Sequence, residues 1–345
     1  MQVLEQTMPF GKSENLPFDL YIMDGEGHHE LGVKDAISTE WLDFRSKGIG
    51  GSDVAAIMGI SKYRSPVEVW MEKRGLKEPA DLSDKEAVEW GNRLESIVRD
   101  KFAETHPELM VMELPASLVS HDRPWAHANL DGCVKNGNGE WGVLEIKTVG
   151  KNREKDWADG VPDYYLTQVT HYLSVTGWSY AWVAALIGGQ HYVEFKVDRD
   201  EEDIAMVESA VDTFWNDCVV GGALPQIVGG STEASALLDL FGADSNEYVQ
   251  PENVNHFDSL VHDYQEAKAC EKKYAEQAKR LGNDLKATVG SAKGAVSDVY
   301  KLTWVKTTIT RFDQKRFAAE HPELAEEYMV TSLTDRGIRV SGVRR

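Results

Sequence analysis

A carboxylate and an amine two residues apart are the side chains of this sequence best suited to catalysis. Glu145 and Lys147 belong to the run VLEIK at 143–147. Side chains alternate between the two faces of a β-strand, so these two share one face while Leu144 and Ile146 point to a core. The pair has the chemistry of a site for a metal ion and a water molecule. A salt-bridged strand at the protein surface explains the same pattern.

A second carboxylate, Asp131, lies opposite Glu145 if the intervening turn is centred on Asn138. The motif NGNG at 136–139 is typical of a hairpin turn, and both carboxylates are seven residues from Asn138. Directly opposed positions bring Cβ atoms to ~5 Å, where two ionised carboxylates repel each other. A Mg²⁺ or Mn²⁺ ion between them removes this conflict, because hard cations prefer oxygen ligands.

A third carboxylate, Glu95, lies on a mostly apolar face of a predicted helix, together with Gly91, Val98 and Phe102. Burial of an unpaired charge is unfavourable, so Glu95 on this face requires a partner. Gly91, one turn away, leaves room for a partner to approach. A glutamate at the edge of the apolar stripe is an equally good interpretation.

A glycine-rich motif, GIGGSD at 48–53, precedes an apolar stretch and predicts a turn that enters a helix. The backbone N–H groups near Gly51, the Ser52 side chain and Arg45 together have the chemistry of a phosphate site. The motif lacks the Gly-Lys-Ser/Thr of a P-loop and the third glycine of a dinucleotide fingerprint. A glycine turn with an ordinary serine cap fits the segment equally well.

These residues need a sheet and helices to position them, and the sequence predicts both. Gln168 falls in a tyrosine-rich helix that ends at Gly177 and could hydrogen-bond near the site; a polar residue at a helix edge is the simpler interpretation. The order of elements predicts an α+β domain. The predicted helices span about 65–75, 83–105, 164–176 and 201–219, and the predicted strands 124–134, 141–148, 181–187 and 191–197.

The chain is predicted to have three parts. Residues 1–36 form an acidic N-terminal extension, 37–229 the main domain and 230–345 a C-terminal region, with a Gly- and Ser-rich linker at 221–235. The C-terminal region is predicted to contain a long polar helix over about 251–289, followed by a strand at 295–305, a helix at 312–329 and a strand at 337–343.

Composition excludes several classes of protein. The 345 residues carry a net charge of −20, which disfavours non-specific nucleic-acid binding, although 41–75 and 299–345 are locally basic. The longest apolar run, 181–187, is far shorter than the ~20 residues of a membrane span. Three widely spaced cysteines exclude a disulfide framework, and the N-terminus does not resemble a secretory signal. We expect a cytoplasmic protein that does not contact a membrane.

The order of these motifs resembles the YqaJ-type viral recombinase and lambda exonuclease family of the PD-(D/E)xK nuclease superfamily. The resemblance covers about residues 41–197, and the region after Trp304 is similar to the C-terminal part of some phage members. Residues 1–36 have no counterpart. The features that carry it are, in chain order, Arg45 with GIGGSD, Trp90-Gly91 with Glu95, Asp131-Gly132, Glu145-Ile146-Lys147 and Gln168.

The resemblance implies a restriction-endonuclease-like core, in which helices flank a mixed central sheet, with a C-terminal helical and small α/β appendage. It implies that Asp131, Glu145 and the carbonyl of Ile146 bind a divalent metal, and that Glu95 helps to hold a second ion. Lys147 would orient or activate the attacking water. The resemblance also implies that Arg45, Gly51 and Ser52 hold a DNA 5′-phosphate and that Gln168 supports the site.

The implied activity is Mg²⁺-dependent 5′→3′ exonuclease digestion of double-stranded DNA in phage or prophage recombination, with Mn²⁺ as a substitute metal. A ring-shaped trimer and a single-strand annealing protein as partner are implied in the same way. Two alternatives stay open: an endonuclease of the same superfamily, and a non-catalytic module that binds DNA ends.

Overall fold

The computed structural model describes residues 2–3, 16–22, 44–79, 85–114, 116–242, 247–305, 307–330 and 337–341. The chain divides into two compact units, Met1–Leu240 and Phe241–Arg345. The boundary predicted at 229–230 therefore lies inside the first unit. The described strands, in chain order, are β1 Gln2–Val3, β2 Phe18–Ile22, β3 Met110–Met112, β4 Ser117–Ser120, β5 His127–Asn129, β6 Gly132–Lys135, β7 Trp141–Val149, β8 Tyr180–Ile187, β9 His191–Asp198, β10 Gly294–Val296 and β11 Lys301–Thr303.

The central sheet of the first unit has the strand order β3-β6-β7-β8-β9. Strand β7 pairs antiparallel with β6 on one side and parallel with β8 on the other, so the sheet is mixed. Gly132 faces Leu144 and Cys133 faces Val143, so the β6–β7 hairpin is centred on Asn138, as predicted. The register therefore places position 131 at the level of Glu145.

The described helices flank this sheet on both faces. Val98 and Phe102 pack on the face that carries Leu144 and Ile146. Val169 and its helix pack on the other face. Helices on both faces of a mixed sheet confirm the predicted α+β class. The described α-helices are α1 Gly51–Ile57, α2 Pro66–Lys73, α3 Glu86–Thr105, α4 Asp163–Thr176, α5 Glu201–Thr213, α6 Ser231–Phe241, α7 Val254–Val289, α8 Gln314–Glu320 and α9 Pro322–Glu327.

Two helix boundaries near the site follow directly from local sequence. Ser65 caps α2 by accepting a hydrogen bond from the Glu68 N–H, and Glu68 in turn accepts one from the Ser65 N–H. Gly177 ends α4 in the left-handed conformation, with φ 67°, which glycine adopts without steric cost. For α3, the predicted cap residue Ser83 lies outside the described residues, and the helix begins at Glu86.

A second sheet, of order β1-β2-β4-β5, includes part of the predicted N-terminal extension. Strand β2 pairs antiparallel with β4, and Phe18 is fully buried in the main core. Residues 16–22 of the predicted extension therefore pack with the main domain. Sequence pattern missed this strand because its partner lies about a hundred residues further along the chain.

The C-terminal half differs from prediction in five places. After α5 the chain continues as a π-helical segment, Phe214–Val220, and α6 begins inside the predicted linker. The predicted strand at 295–305 is a short hairpin, β10–β11. Pro322 splits the predicted helix at 312–329 into α8 and α9. No strand forms over 337–341, and the rest of that predicted strand lies outside the described residues.

The 36-residue helix α7 confirms the predicted long polar helix. None of the described helices is long and apolar enough to cross a membrane.

Candidate active site

Glu145 lies at the centre of the candidate site, on the middle strand of the central sheet. Its side chain is 1% exposed and points to the α4 face, opposite to Leu144 and Ile146. Lys147, on the same face, forms an ion pair with Glu145 Oε1. Gln168 Nε2, from α4, donates a hydrogen bond of 2.7 Å to that same oxygen. The structure therefore brings three of the predicted site residues into direct contact.

The second carboxylate oxygen of Glu145, Oε2, is buried and has no hydrogen-bond partner among the described residues. Burial raises the pKa of Glu145, and the nearby charges of Asp131 and Glu95 raise it further, while Lys147 partly opposes them. Burial by itself lowers the pKa of Lys147, but Glu145 and Asp131 outweigh burial and raise it. The site thus holds more negative charge than its one amine compensates.

Asp131 directly precedes β6 and reaches across the hairpin to β7. Its Oδ2 accepts a hydrogen bond of 2.8 Å from the backbone N–H of Ile146. Arg99, from α3, donates to the Asp131 carbonyl at 2.7 Å. The predicted opposition of Asp131 and Glu145 therefore exists, with Asp131 anchored at both its side chain and its backbone.

Glu95 lies on α3, the helix that packs against the other face of the sheet. Its Oε1 is 3.9 Å from Arg99 Nη1. One turn before it, a Cβ atom added at Gly91 would lie 3.4 Å from Thr148 Oγ1, so α3 passes close to β7 there. The negative charge of Glu95 contributes to the raised pKa of Glu145. Among the described residues, no three His, Cys, Asp or Glu side chains are grouped closely enough to hold a metal ion.

The glycine-rich motif lines a cavity of about 150 Å³ at the N-terminus of α1. Arg45 donates from Nη2 to Ser52 Oγ at 3.0 Å, so these two predicted residues do lie together. The cavity is next to the Glu145 site, because Tyr172 lines it and also accepts a hydrogen bond of 3.0 Å from Gln168. The cavity residues are Phe44, Arg45, Gly50, Gly51, Ser52, His127, Asn129 and Tyr172.

Gly51 is at this position because no larger residue fits. A Cβ atom there would lie 2.5 Å from Tyr172 Cε1 and 2.8 Å from Gln168 Cγ. The first turn of α1 therefore packs directly on the two α4 side chains that connect the cavity to Glu145.

A buried ion cluster fixes the walls of the cavity. Asp53 is fully buried, pairs with Arg64 at 2.6 Å and with Lys73 at 2.9 Å, and accepts a hydrogen bond from the Gly50 N–H. Lys73 also donates to the Arg45 carbonyl at 2.8 Å. Burial opposes ionisation of Asp53, but the charges of Lys73 and Arg64 outweigh it and lower its pKa.

Residues 40–179 match the YqaJ-like viral recombinase domain. The chain is also 33% identical over 292 residues to the uncharacterized protein YqaJ of Bacillus subtilis strain 168, covering 84% of this chain and 89% of that protein. The chain belongs to the YqaJ-like viral recombinase family. All the predicted site residues lie within the matched range.

Two solved structures that are similar to part of the chain carry the name exonuclease. An alkaline exonuclease from Laribacter hongkongensis is 19% identical with a TM-score of 0.43, over 53% of this chain and 94% of that one. A phage-related exonuclease from Haemophilus somnus 129PT is 12% identical with a TM-score of 0.35, over 53% of this chain and 99% of that one.

Several residues of this YqaJ-like site escaped sequence analysis. His127 and Asn129 line the cavity and alternate with Asp131 along the chain, a period of two that would have found them. His127 stacks on Phe44 with ring centroids 4.5 Å apart, and burial lowers its pKa to about 4. No sequence pattern indicated that Asp53 is the centre of a buried ion cluster, because its partners Arg64 and Lys73 come from later segments of the chain.

The residues of the site fit the divalent metal that its resemblance implies. A buried carboxylate oxygen without a partner is unfavourable unless a cation or a proton compensates it. The oxygens of Glu145, Asp131 and the Ile146 carbonyl are the hard donors that Mg²⁺ and Mn²⁺ prefer. The surplus of negative charge at Glu145 is consistent with the same chemistry.

Proposed function

We propose that this chain is a Mg²⁺-dependent exonuclease that digests double-stranded DNA from 5′ ends and leaves 3′ single-stranded tails. The observation that carries the proposal is the contact of Glu145 with Lys147 and Gln168, one hydrogen bond away from a cavity lined by Arg45 and Ser52. Membership of a viral recombinase family supports the same function.

Lys147 is placed to act on water and on the reacting phosphate. Its ion pair with Glu145 keeps the ammonium charged, so it can orient a water molecule and offset negative charge that develops on the phosphate oxygens. Gln168 holds the Glu145 carboxylate in one orientation through its bond to Oε1. The Oε2 atom, the Asp131 carboxylate and the Ile146 carbonyl then remain to hold the metal.

Bound divalent ions supply Lewis-acid stabilisation of the attacking and leaving oxygens. In this proposal Glu145, Asp131 and the Ile146 carbonyl hold one Mg²⁺ and Glu95 contributes to a second, directly or through water. Mn²⁺ is expected to substitute.

In this proposal the Arg45 cavity gives the enzyme a preference for DNA ends. A guanidinium, a hydroxyl and the N–H groups at the start of α1 provide donors for a terminal 5′-phosphate. Capture of each new 5′-phosphate would place the next phosphodiester at Glu145, which gives stepwise digestion. A closed circle has no such end to offer.

The proposal extends to the surroundings of the enzyme. A trimeric ring would keep the chain on its DNA, and a phage single-strand annealing protein would receive the 3′ tail. Such an enzyme would act in the cytoplasm of a bacterial host. An endonuclease with the same catalytic residues is the alternative if the cavity serves another purpose, and a DNA-end binding module is the alternative without catalysis.

The test is digestion of linear duplex DNA labelled separately at each end, with and without Mg²⁺. The substrates carry a 5′-phosphate or a 5′-hydroxyl, and closed circular DNA is the control for internal cutting. Glu145→Ala and Lys147→Ala are the inactive controls, while Arg45→Gln tests the cavity. We expect Mg²⁺-dependent digestion from 5′-phosphorylated ends, lost in the first two variants.

Each other outcome points to a named alternative. Cutting of the closed circle would identify an endonuclease. Digestion of both kinds of 5′ end at equal rates, unchanged by Arg45→Gln, would remove the cavity from the proposal. Well-folded protein that binds ends but cleaves nothing would identify the binding module.

A further inference from the structure

A series of aromatic rings lies next to Lys147 at the edge of the candidate site. Its Nζ lies 4.9 Å from the ring centroid of Tyr165. The Tyr165 ring lies 4.4 Å from that of Tyr164, which lies 6.4 Å from that of Tyr63. We refer to Tyr63, Tyr164 and Tyr165 as the tyrosine row. The row begins at Tyr165, beside Lys147, and ends at Tyr63, whose side chain is 59% exposed.

Two cations lie over the rings of the tyrosine row. The Arg153 guanidinium lies 5.8 Å from the Tyr63 ring centroid and donates a hydrogen bond of 3.2 Å to the Tyr164 hydroxyl. The Lys62 ammonium lies 5.7 Å from the Tyr164 ring centroid. Both cations share one carboxylate, Asp156, at 2.8 Å and 3.6 Å. Among the described residues, these two cations thus have a single carboxylate as their ion-pair partner.

We propose that the tyrosine row binds the DNA strand that is being digested, where this strand is unpaired from its complement on the 3′ side of the reacting phosphodiester. This inference rests on the proposed nuclease function. Aromatic rings interleaved with cations are the surface that single-stranded nucleic acids require, since bases stack on the rings and phosphates pair with the cations.

The polarity follows from the order of contacts around Glu145. Gln168 and Tyr172 connect Glu145 to the Arg45 cavity, which takes the 5′-phosphate in our proposal. Lys147, which contacts the same Glu145 oxygen, connects Glu145 to the tyrosine row. Along α4, Tyr165 lies about one turn before Gln168 and Tyr172 about one turn after it, so the row and the cavity follow opposite directions from Gln168. A strand with its 5′ end in the cavity thus reaches the row with nucleotides that stay on the DNA after the cut.

Binding of a fluorescent duplex with a 5′-phosphorylated single-stranded overhang tests the inference. Anisotropy in EDTA gives the Kd without cleavage, and one overhang carries bases while a second is abasic. We expect Tyr63→Ala to weaken binding of the overhang with bases by roughly 5- to 150-fold, the range for one lost base stack. The wild type and Tyr63→Ala should bind the abasic overhang with equal Kd. Tyr63→Trp should bind the overhang with bases as tightly as the wild type does.

Tyr274→Ala is the matched control, because Tyr274 lies on α7 with a similar exposed fraction of 64%. Equal loss on both overhangs, or no loss from Tyr63→Ala, would overturn the role of the tyrosine row. Digestion by the wild-type chain in Mg²⁺ is measured in parallel. Absence of digestion would count against the proposed function, whereas the overhang comparison in EDTA tests the row independently.

Discussion

Replacement of Gly51 by alanine is the most direct test of how α1 packs against the candidate site. The added Cβ would lie 2.5 Å from Tyr172 and 2.8 Å from Gln168, so both side chains must move. Overpacking of this kind costs about 1–3 kcal/mol. For a unit of this size each kcal/mol corresponds to roughly 2–4 °C in Tm, so we expect Tm to fall by about 2–12 °C.

The same displacement should reduce activity, because Gln168 orients Glu145 through a 2.7 Å hydrogen bond. A hydrogen bond to a charged group contributes ~1.5–3 kcal/mol, which corresponds to a roughly 10- to 100-fold loss of kcat. Thermal unfolding gives the first quantity, and Mg²⁺-dependent digestion under saturating substrate gives the second.

Gly50→Ala is the matched control, since a Cβ at Gly50 has nothing within 4 Å. Its cost is limited to ~1 kcal/mol for a poorer N-cap residue, so it is the control for Tm alone, because Gly50 itself lines the cavity. A Gly51→Ala protein with the Tm of Gly50→Ala and the kcat of the wild type would refute the described contact of Gly51 with Tyr172 and Gln168.

Three further predictions concern charge. Asp53→Asn leaves the Lys73 ammonium, whose side chain is 3% exposed, without its ion-pair partner. The free energy of unfolding, measured in urea, should therefore fall by ~3–5 kcal/mol, and the double variant Asp53→Asn/Lys73→Met should largely recover it. A fall below ~1 kcal/mol would contradict the ion pair. Burial lowers the pKa of His127 and His171 to about 4, so the unfolded chain takes up their protons first as the pH falls. The free energy of unfolding should therefore fall from pH 6.5 towards pH 4 by about 3 kcal/mol per histidine, and His171→Gln should reduce this slope in urea melts; an unchanged slope would exclude His171. Mg²⁺ at a hundredfold excess over Kd should stabilise the wild type by ~2.7 kcal/mol but not Glu145→Gln, and equal Tm shifts in both would remove Glu145 from the metal site.

The sequence was sufficient wherever the determining interactions are local. The NGNG turn and the alternation around Glu145 set the hairpin register, because both act within fifteen residues. The same holds for the Ser65 cap and for the end of α4 at Gly177. Glu145 and Lys147 could be placed on one face because a single strand of period two carries both. Gln168 lies on a separate helix, so only the family resemblance, not the pattern, assigned it to the site.

Interactions between distant segments were beyond the sequence pattern. Strand β2 owes its place to pairing with β4, and nothing in FDLYI at 18–22 indicates that partner. The Gly- and Ser-rich composition of the predicted linker gave no indication of α6. The apolar side chains of this helix pack in the same core cluster as those of α1 and α5, which are distant in sequence. Asp53 was interpreted as part of a turn, since its role depends on Arg64 and Lys73 together.

One hydrogen bond described above provides a spectroscopic reporter. The Ile146 N–H donates to the Asp131 carboxylate at 2.8 Å. The chemical shift of this amide proton therefore depends on the charge at Asp131. In an NMR spectrum with ¹⁵N-labelled isoleucine, the Ile146 resonance should move when a cation or a DNA end reaches the site, and its titration would measure occupancy without any cleavage.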